Sequence, residues 1–186
     1  CPPNIVRFIP SIANFLYTCD DNTVYVHQFM HSEGTVSVGG KDVKITQKTD
    51  YPYDGKIEIC TDSDVHLAIR IPDWCNSYEG ETIKGYAFFD AKANEPIVID
   101  FEMKPFFVGA NPRVAFDCGK YAVQNGPLVY CMESCDNGKM LRDLHLDAGA
   151  DFTLGYNEEL GVPTLTIDAY RRRETDKLYY RKADDF

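Results

Sequence analysis

No apolar run in the 186 residues approaches the ~20 that cross a bilayer as a helix, so the sequence offers no helical membrane span. Basic residues are scarce. Lys and Arg total 19 against 29 for Asp and Glu, and a net charge of -10 repels a phosphate backbone and an anionic membrane surface alike. Nucleic acid and membrane are thereby set aside as partners, while a neutral ligand such as a sugar suits that charge. Histidine occurs four times, and neither Gly-x-Ser-x-Gly nor His-Glu-x-x-His is present, which removes the serine-hydrolase elbow and the helical zinc-protease motif. There is no internal repeat and no low-complexity segment. The first residues also lack an initiator Met, a basic flank, an apolar core and a small-residue cleavage site. The expectation is that both ends of the chain are cuts in a longer protein.

What is present reads as a soluble globular chain of one large or two small domains, 44% hydrophobic and 26% charged. Seven cysteines (Cys1, Cys19, Cys60, Cys75, Cys118, Cys131 and Cys135) form an odd, scattered set, unlike a disulfide framework. Most are expected to be buried thiols. Reduced thiols lean towards the cytoplasm, with the periplasm as the alternative. Cys131 and Cys135 have nearly the spacing of half a zinc knuckle, but no second half follows, and a metal role is not assigned to them.

Ile5, Phe8, Ile9, Ile12, Phe15 and Leu16 share about a third of a helical wheel, the pattern of one helix laid on a core. Pro2 and Pro3 suit its first turn, where a missing N–H is harmless. Pro10 removes the bond to the Val6 carbonyl, so a kink or restart is expected there, with the helix ending at Asp20-Asp21-Asn22. From Thr23 the period becomes 2. Val65, Leu67, Ile69 and Ile71 alternate with His66, Ala68 and Arg70, and Ile97, Ile99, Phe101 and Met103 do the same over 97–103. Further strands are expected near 23–30, 35–38, 42–48, 56–60, 83–89, 113–117, 120–124, 128–133, 162–168 and 177–181, separated by turns such as Gly39-Gly40 and Asp54-Gly55. The fold class is therefore mainly β: antiparallel β-sandwich domains preceded by one helix. Such a helix must bury its stripe elsewhere, and an upstream helical domain is the expected surface. Arg171-Arg172-Arg173 beside Glu174 reads as a solvated hairpin tip.

Three sets of residues are candidates for chemistry. Asp100 and Glu102 lie on one strand face about 7 Å apart, near the carboxyl separations of glycosidases, although alternating acids ordinarily mark the wet face. His27, His31, His66 and His145 have no Ser or Cys partner at a recognisable spacing, and His27 and His31 share a face only if their strand stays regular. Cys1 is the third. A thiolate at the first turn of a helix gains from unpaired N–H groups and the helix dipole, which suits it as a nucleophile or as one ligand of a metal site. Pro2 and Pro3 steer into a helix and so speak against a processed N-terminal nucleophile, which opens a strand.

The ordered runs Cys1-Pro-Pro-Asn-Ile-Val-Arg7, Thr49-Asp-Tyr-Pro-Tyr-Asp-Gly55, Arg70-Ile-Pro-Asp-Trp-Cys75, Asn111-Pro-Arg-Val114 and Gly126-Pro-Leu-Val-Tyr-Cys-Met-Glu133 resemble the C-terminal part of glycoside hydrolase family 127, the bacterial β-L-arabinofuranosidases, or the related family 146. The resemblance implies an (α/α)6 barrel followed by β-sandwiches: residues 1–19 as the barrel's closing helix, 20–119 as a first sandwich and 120–186 as a second, incomplete one. It implies Cys1 as one zinc ligand, with the catalytic nucleophile just before Cys1 and no catalytic residue inside the chain. The implied reaction is retaining hydrolysis of arabinose-containing glycans, in which an upstream Glu protonates the departing oxygen and Zn2+ keeps the thiolate nucleophile deprotonated. The chain alone is then expected to be inactive and to hold no zinc, while the resemblance leaves room for a homodimer. Pro10, Tyr53 and Asn125 depart from the family pattern, and the likeness fades after about residue 140. A non-catalytic carbohydrate-binding module, using some of the 12 Tyr as a stacking platform, and a structural sandwich module are the alternatives.

Overall fold

The computed structural model describes residues 1–147 and 149–171. The expected strand at 177–181 and the residues Arg172 and Arg173 of the hairpin tip lie outside them. The chain divides into two compact units, one formed by 1–104 with 125–128, the other by 105–124 with the residues from 129 onward.

The first unit opens with helix α1 (Pro2–Ser11), which gives way one residue after Pro10 to a 3-10 turn (Ile12–Phe15) and then to strand β1 (Tyr17–Cys19). The helix is thus shorter than the sequence pattern suggested, because a proline with no N–H cannot continue the ladder. Its stripe also does not rest on a core among the described residues: Ile5, Phe8, Ile9 and Phe15 are all more than half exposed, and Leu16 is the buried member.

Two four-stranded sheets follow. One has the order β1-β2-β6-β7, with β2 (Thr23–Val26), β6 (Val65–Arg70) and β7 (Tyr86–Ala91). The other has the order β3-β4-β5-β8, with β3 (Ser32–Val38), β4 (Lys41–Thr49), β5 (Lys56–Thr61) and β8 (Ile97–Asp100). Alternation places Val43, Ile45 and Gln47 of β4 and Ile57 and Ile59 of β5 on the inner face, where they meet Val24, Val26, Leu67 and Ile69 in one core. Gln47 is wholly buried there, and its amide N–H2 donates to the Tyr17 hydroxyl at 2.7 Å and the Gln28 carbonyl at 3.2 Å. Strand β8 stops at Asp100 rather than running on to 103; Phe101 keeps the inward direction of Ile99 and packs in the core near Phe29 and Trp74. Gly55 has no alternative at its position, since a Cβ there would lie 1.9 Å from the Phe101 carbonyl oxygen.

The pairing of β2 with β6 is parallel, in register Val26 with Ile69, whereas the sequence suggested antiparallel neighbours throughout. Parallel strands need a crossover, and here β3, β4 and β5 of the other sheet supply it.

A three-stranded sheet, most of whose residues belong to the second unit, has the order β11-β10-β9, with β9 (Pro105–Gly109), β10 (Tyr121–Asn125) and β11 (Leu128–Tyr130). The expected strand at 113–117 is a turn and a 3-10 segment (Ala115–Asp117), set by Asn111, whose side-chain oxygen accepts from the Arg113 N–H. A short helix α2 (Ser134–Asn137) leads to two ribbons, β12 (Leu144–Leu146) with β15 (Ala169–Arg171) and β13 (Thr153–Asn157) with β14 (Val162–Thr166). Strands β9, β12, β13 and β15 were not expected from the sequence, because they are short and none alternates cleanly. None of the seven cysteines is fully buried and none is bonded to another: Cys60 and Cys75 are half-buried, and the other five are exposed. The expectation of buried thiols is corrected here.

Candidate functional site

The parallel pairing creates the first unit's polar hollow. Since Val26 lies beside Ile69, the next residues along the two strands, His27 and Arg70, are brought side by side at their carboxyl ends. Pro72 then prevents β6 from continuing and starts a turn closed by the Cys75 N–H to the Pro72 carbonyl at 2.9 Å, which carries Asp73 and Trp74 to the same place. Together with Gln28, Phe29 and Tyr51 these residues line a hollow of about 240 Å³.

Its walls are held from behind. The His27 ring hydrogen-bonds through Nδ1 with the Tyr86 hydroxyl and through Nε2 with Thr18 Oγ1, both at 2.7 Å. Burial, and secondarily the Arg70 charge, holds its pKa below the ordinary 6.5, so the ring is neutral at pH 7. Burial raises the Tyr51 phenol and keeps it protonated. Trp74 packs edge-on against Phe101, with ring centres 6.0 Å apart. The Arg70 guanidinium and the Asp73 carboxylate have no hydrogen-bond or ion-pair partner among the described residues. Sequence reasoning used Arg70, Asp73 and Trp74 only as a family run. The available signal was the chain's one Trp next to an acid and four residues from an Arg, punctuated by a proline.

The other candidates separate. His27 has both ring nitrogens engaged and cannot bind a metal as it stands. His31 is exposed, following the early end of β2, so the two do not share a strand face. His66 pairs with Asp90 at 2.5 Å on the surface, and His145 stacks on Tyr170. A wider surface hollow includes Asp64, His66, Asp90 and Lys92, whose charges answer one another: Lys92 bonds Asp64 at 2.9 Å, lowering the Asp64 pKa and raising its own. Asp100 and Glu102 are both exposed, and Glu102 is bound to Lys104 at 2.6 Å, as residues of a wet face are.

Cys1 is the N-cap of α1; its carbonyl accepts from the Asn4 N–H, its thiol makes no capping bond, and it is exposed. A zinc site takes about four donors. Among the described residues no donor cluster includes Cys1, so these residues do not by themselves make a complete zinc site around it. The one cluster of donor atoms there is Glu133, Cys135 and Asp136, all exposed and without Cys131. Partial desolvation and the charges of Asp136 and Glu133 raise the Cys135 thiol, which donates to Glu133 at 3.6 Å. A protonated thiol beside two acids is the opposite of a thiolate prepared for zinc.

Comparison with known proteins agrees with this architecture. Residues 23–99 match the model of the β-L-arabinofuranosidase GH127 middle domain, and residues 105–174 that of the glycoside hydrolase family 127 C-terminal domain. The chain belongs to glycoside hydrolase family 127, of which it carries the middle and C-terminal domains. Over its whole length it is 33% identical to a non-reducing end β-L-arabinofuranosidase of Bifidobacterium longum subsp. longum, spanning 32% of that protein. A crystal structure of a GH127 β-L-arabinofuranosidase from Geobacillus stearothermophilus superposes with a TM-score of 0.88 at 32% identity, over 98% of this chain and 32% of that one. A second GH127 β-arabinofuranosidase gives 0.87 at 28% identity, over 95% and 33%. The chain thus spans about a third of the length of these relatives.

Proposed function

We propose that this chain is the accessory sandwich region of a β-L-arabinofuranosidase-like glycoside hydrolase that acts on arabinose-containing glycans. The observation that carries this reading is the match of two consecutive family 127 domain models, in order, to a chain that aligns end to end with one third of an arabinofuranosidase. The exposed stripe of α1 supports it, because an amphipathic helix with Ile5, Phe8 and Ile9 in solvent is suited to packing against further helices. In this reading Cys1 supplies one thiolate to a zinc ion whose other ligands lie outside the chain. Zinc there would hold thiolates deprotonated. The part of this chain is to fix the position of Cys1 at the head of α1.

Assay of a β-L-arabinofuranoside tests both halves. The 186-residue chain is expected to release no arabinose, and a longer protein that includes it is expected to release it with retention of configuration. Release by the 186 residues alone would overturn the inactivity, and no release by the longer protein would overturn the hydrolase. Metal analysis of the longer protein should find about one zinc per chain, lost in Cys1→Ser.

A further inference from the structure

We propose that the hollow between His27, Arg70 and Trp74 binds a single neutral sugar residue. The inference concerns binding by the middle domain and does not depend on hydrolysis by the parent protein.

Charge selects the ligand class. At pH 7 the hollow holds one cation, Arg70, and one anion, Asp73, while His27 and Tyr51 are neutral. A phosphate or carboxylate meets Asp73 and a chain of net charge -10, and a cation meets Arg70. A polyhydroxylated neutral ring satisfies both: its hydroxyls accept from the guanidinium fork and donate to the carboxylate, neither of which has a side-chain partner among the described residues. Its C–H face has the Trp74 indole to lie against, an aromatic already fixed by Phe101. Size selects further. A hollow of about 240 Å³ falls below the ~300 Å³ at which drug-sized sites begin, so it accommodates one ring and not a chain of them.

The structure also places its own reporter. Trp74 is the only Trp in the sequence, so fluorescence excited selectively at tryptophan, beyond the tyrosine absorption band, reads this hollow. The 186-residue chain is titrated with L-arabinose, D-galactose, D-glucuronate and inorganic phosphate up to about 50 mM, with Kd on the order of 1 mM expected for a neutral sugar. Arg70→Met and Asp73→Asn, each checked by circular dichroism, are expected to weaken that binding about tenfold, so that the Trp74 indole N–H resonance, which should shift on sugar addition in the unaltered chain, moves in each variant only at about tenfold higher sugar concentration. The proposal is overturned if neutral sugars change neither signal, if their binding is indifferent to both substitutions, or if only glucuronate and phosphate bind.

Discussion

The two units differ in what holds them. In the first, Val24, Val26, Ile45, Ile57, Leu67 and Ile69 are sealed between two sheets at 1% exposure or less. In the second, Val123 is the one buried hydrophobic among the described residues, and order rests on ring contacts and caps: Phe107 lies 5.1 Å from Phe152 and 6.0 Å from Tyr121, and Arg171 donates to the carbonyls of Asn137 and Met140. Each fully buried aliphatic contributes about 1.5–3 kcal/mol. A unit with a sealed core gains that several times over, and one with half-covered faces depends on fewer and more polar contacts.

That contrast is open to direct test. Ile45→Ala should cost the first unit about 2–5 kcal/mol in urea unfolding, while Leu154→Ala, at a side chain 53% exposed, should cost below about 0.5 kcal/mol; equal losses would remove the distinction. Gly55→Ala sets a new Cβ against the Phe101 backbone and should cost about 1–3 kcal/mol, again in the first unit. Phe107→Ala, half-buried, should lower the second unit by about 1–2 kcal/mol and leave amide exchange in β4 and β5 unchanged. Next in size is a pH effect. Because the folded His27 has a pKa below 6.5, the unfolded chain binds the extra proton, so its contribution is complete above pH 6.5 and is lost as pH falls from there through the folded value. The difference in unfolding midpoint between the unaltered chain and His27→Gln should therefore narrow on acidification; a constant difference would remove His27 from the pH response. The smallest effect belongs to Lys92→Met, since its pair with Asp64 is fully exposed and screened by salt, and its midpoint should be hard to separate from that of the unaltered chain.

The first unit was legible and the second much less so, for one reason. In β4 and β5 a buried face alternates with a more exposed one, and that period survives in the sequence as Val43-x-Ile45 and Ile57-x-Ile59. In β12 and β13 every residue is half-buried or exposed, so burial imprints no period, and the segments passed as loop. Cys1 was legible at the head of a helix because Pro2 and Pro3 mark a helix entry locally. Trp74 was visible as the lone Trp, but its place in the same hollow as His27 was not, since the two residues follow different strands and meet only through the fold.

Local pattern by itself determined the helix at the head of the chain, its break at Pro10, the inner faces of the first sandwich and, through ordered runs of residues, the family. Only the tertiary structure decided that β2 would pair with β6 in parallel, that five of the seven cysteines would be exposed, and that Arg70 and Asp73, without a side-chain partner among the described residues, would stand beside Trp74. Periodicity records which face of an element is covered, whereas the choice of neighbour rests on packing energies summed over residues far apart in sequence.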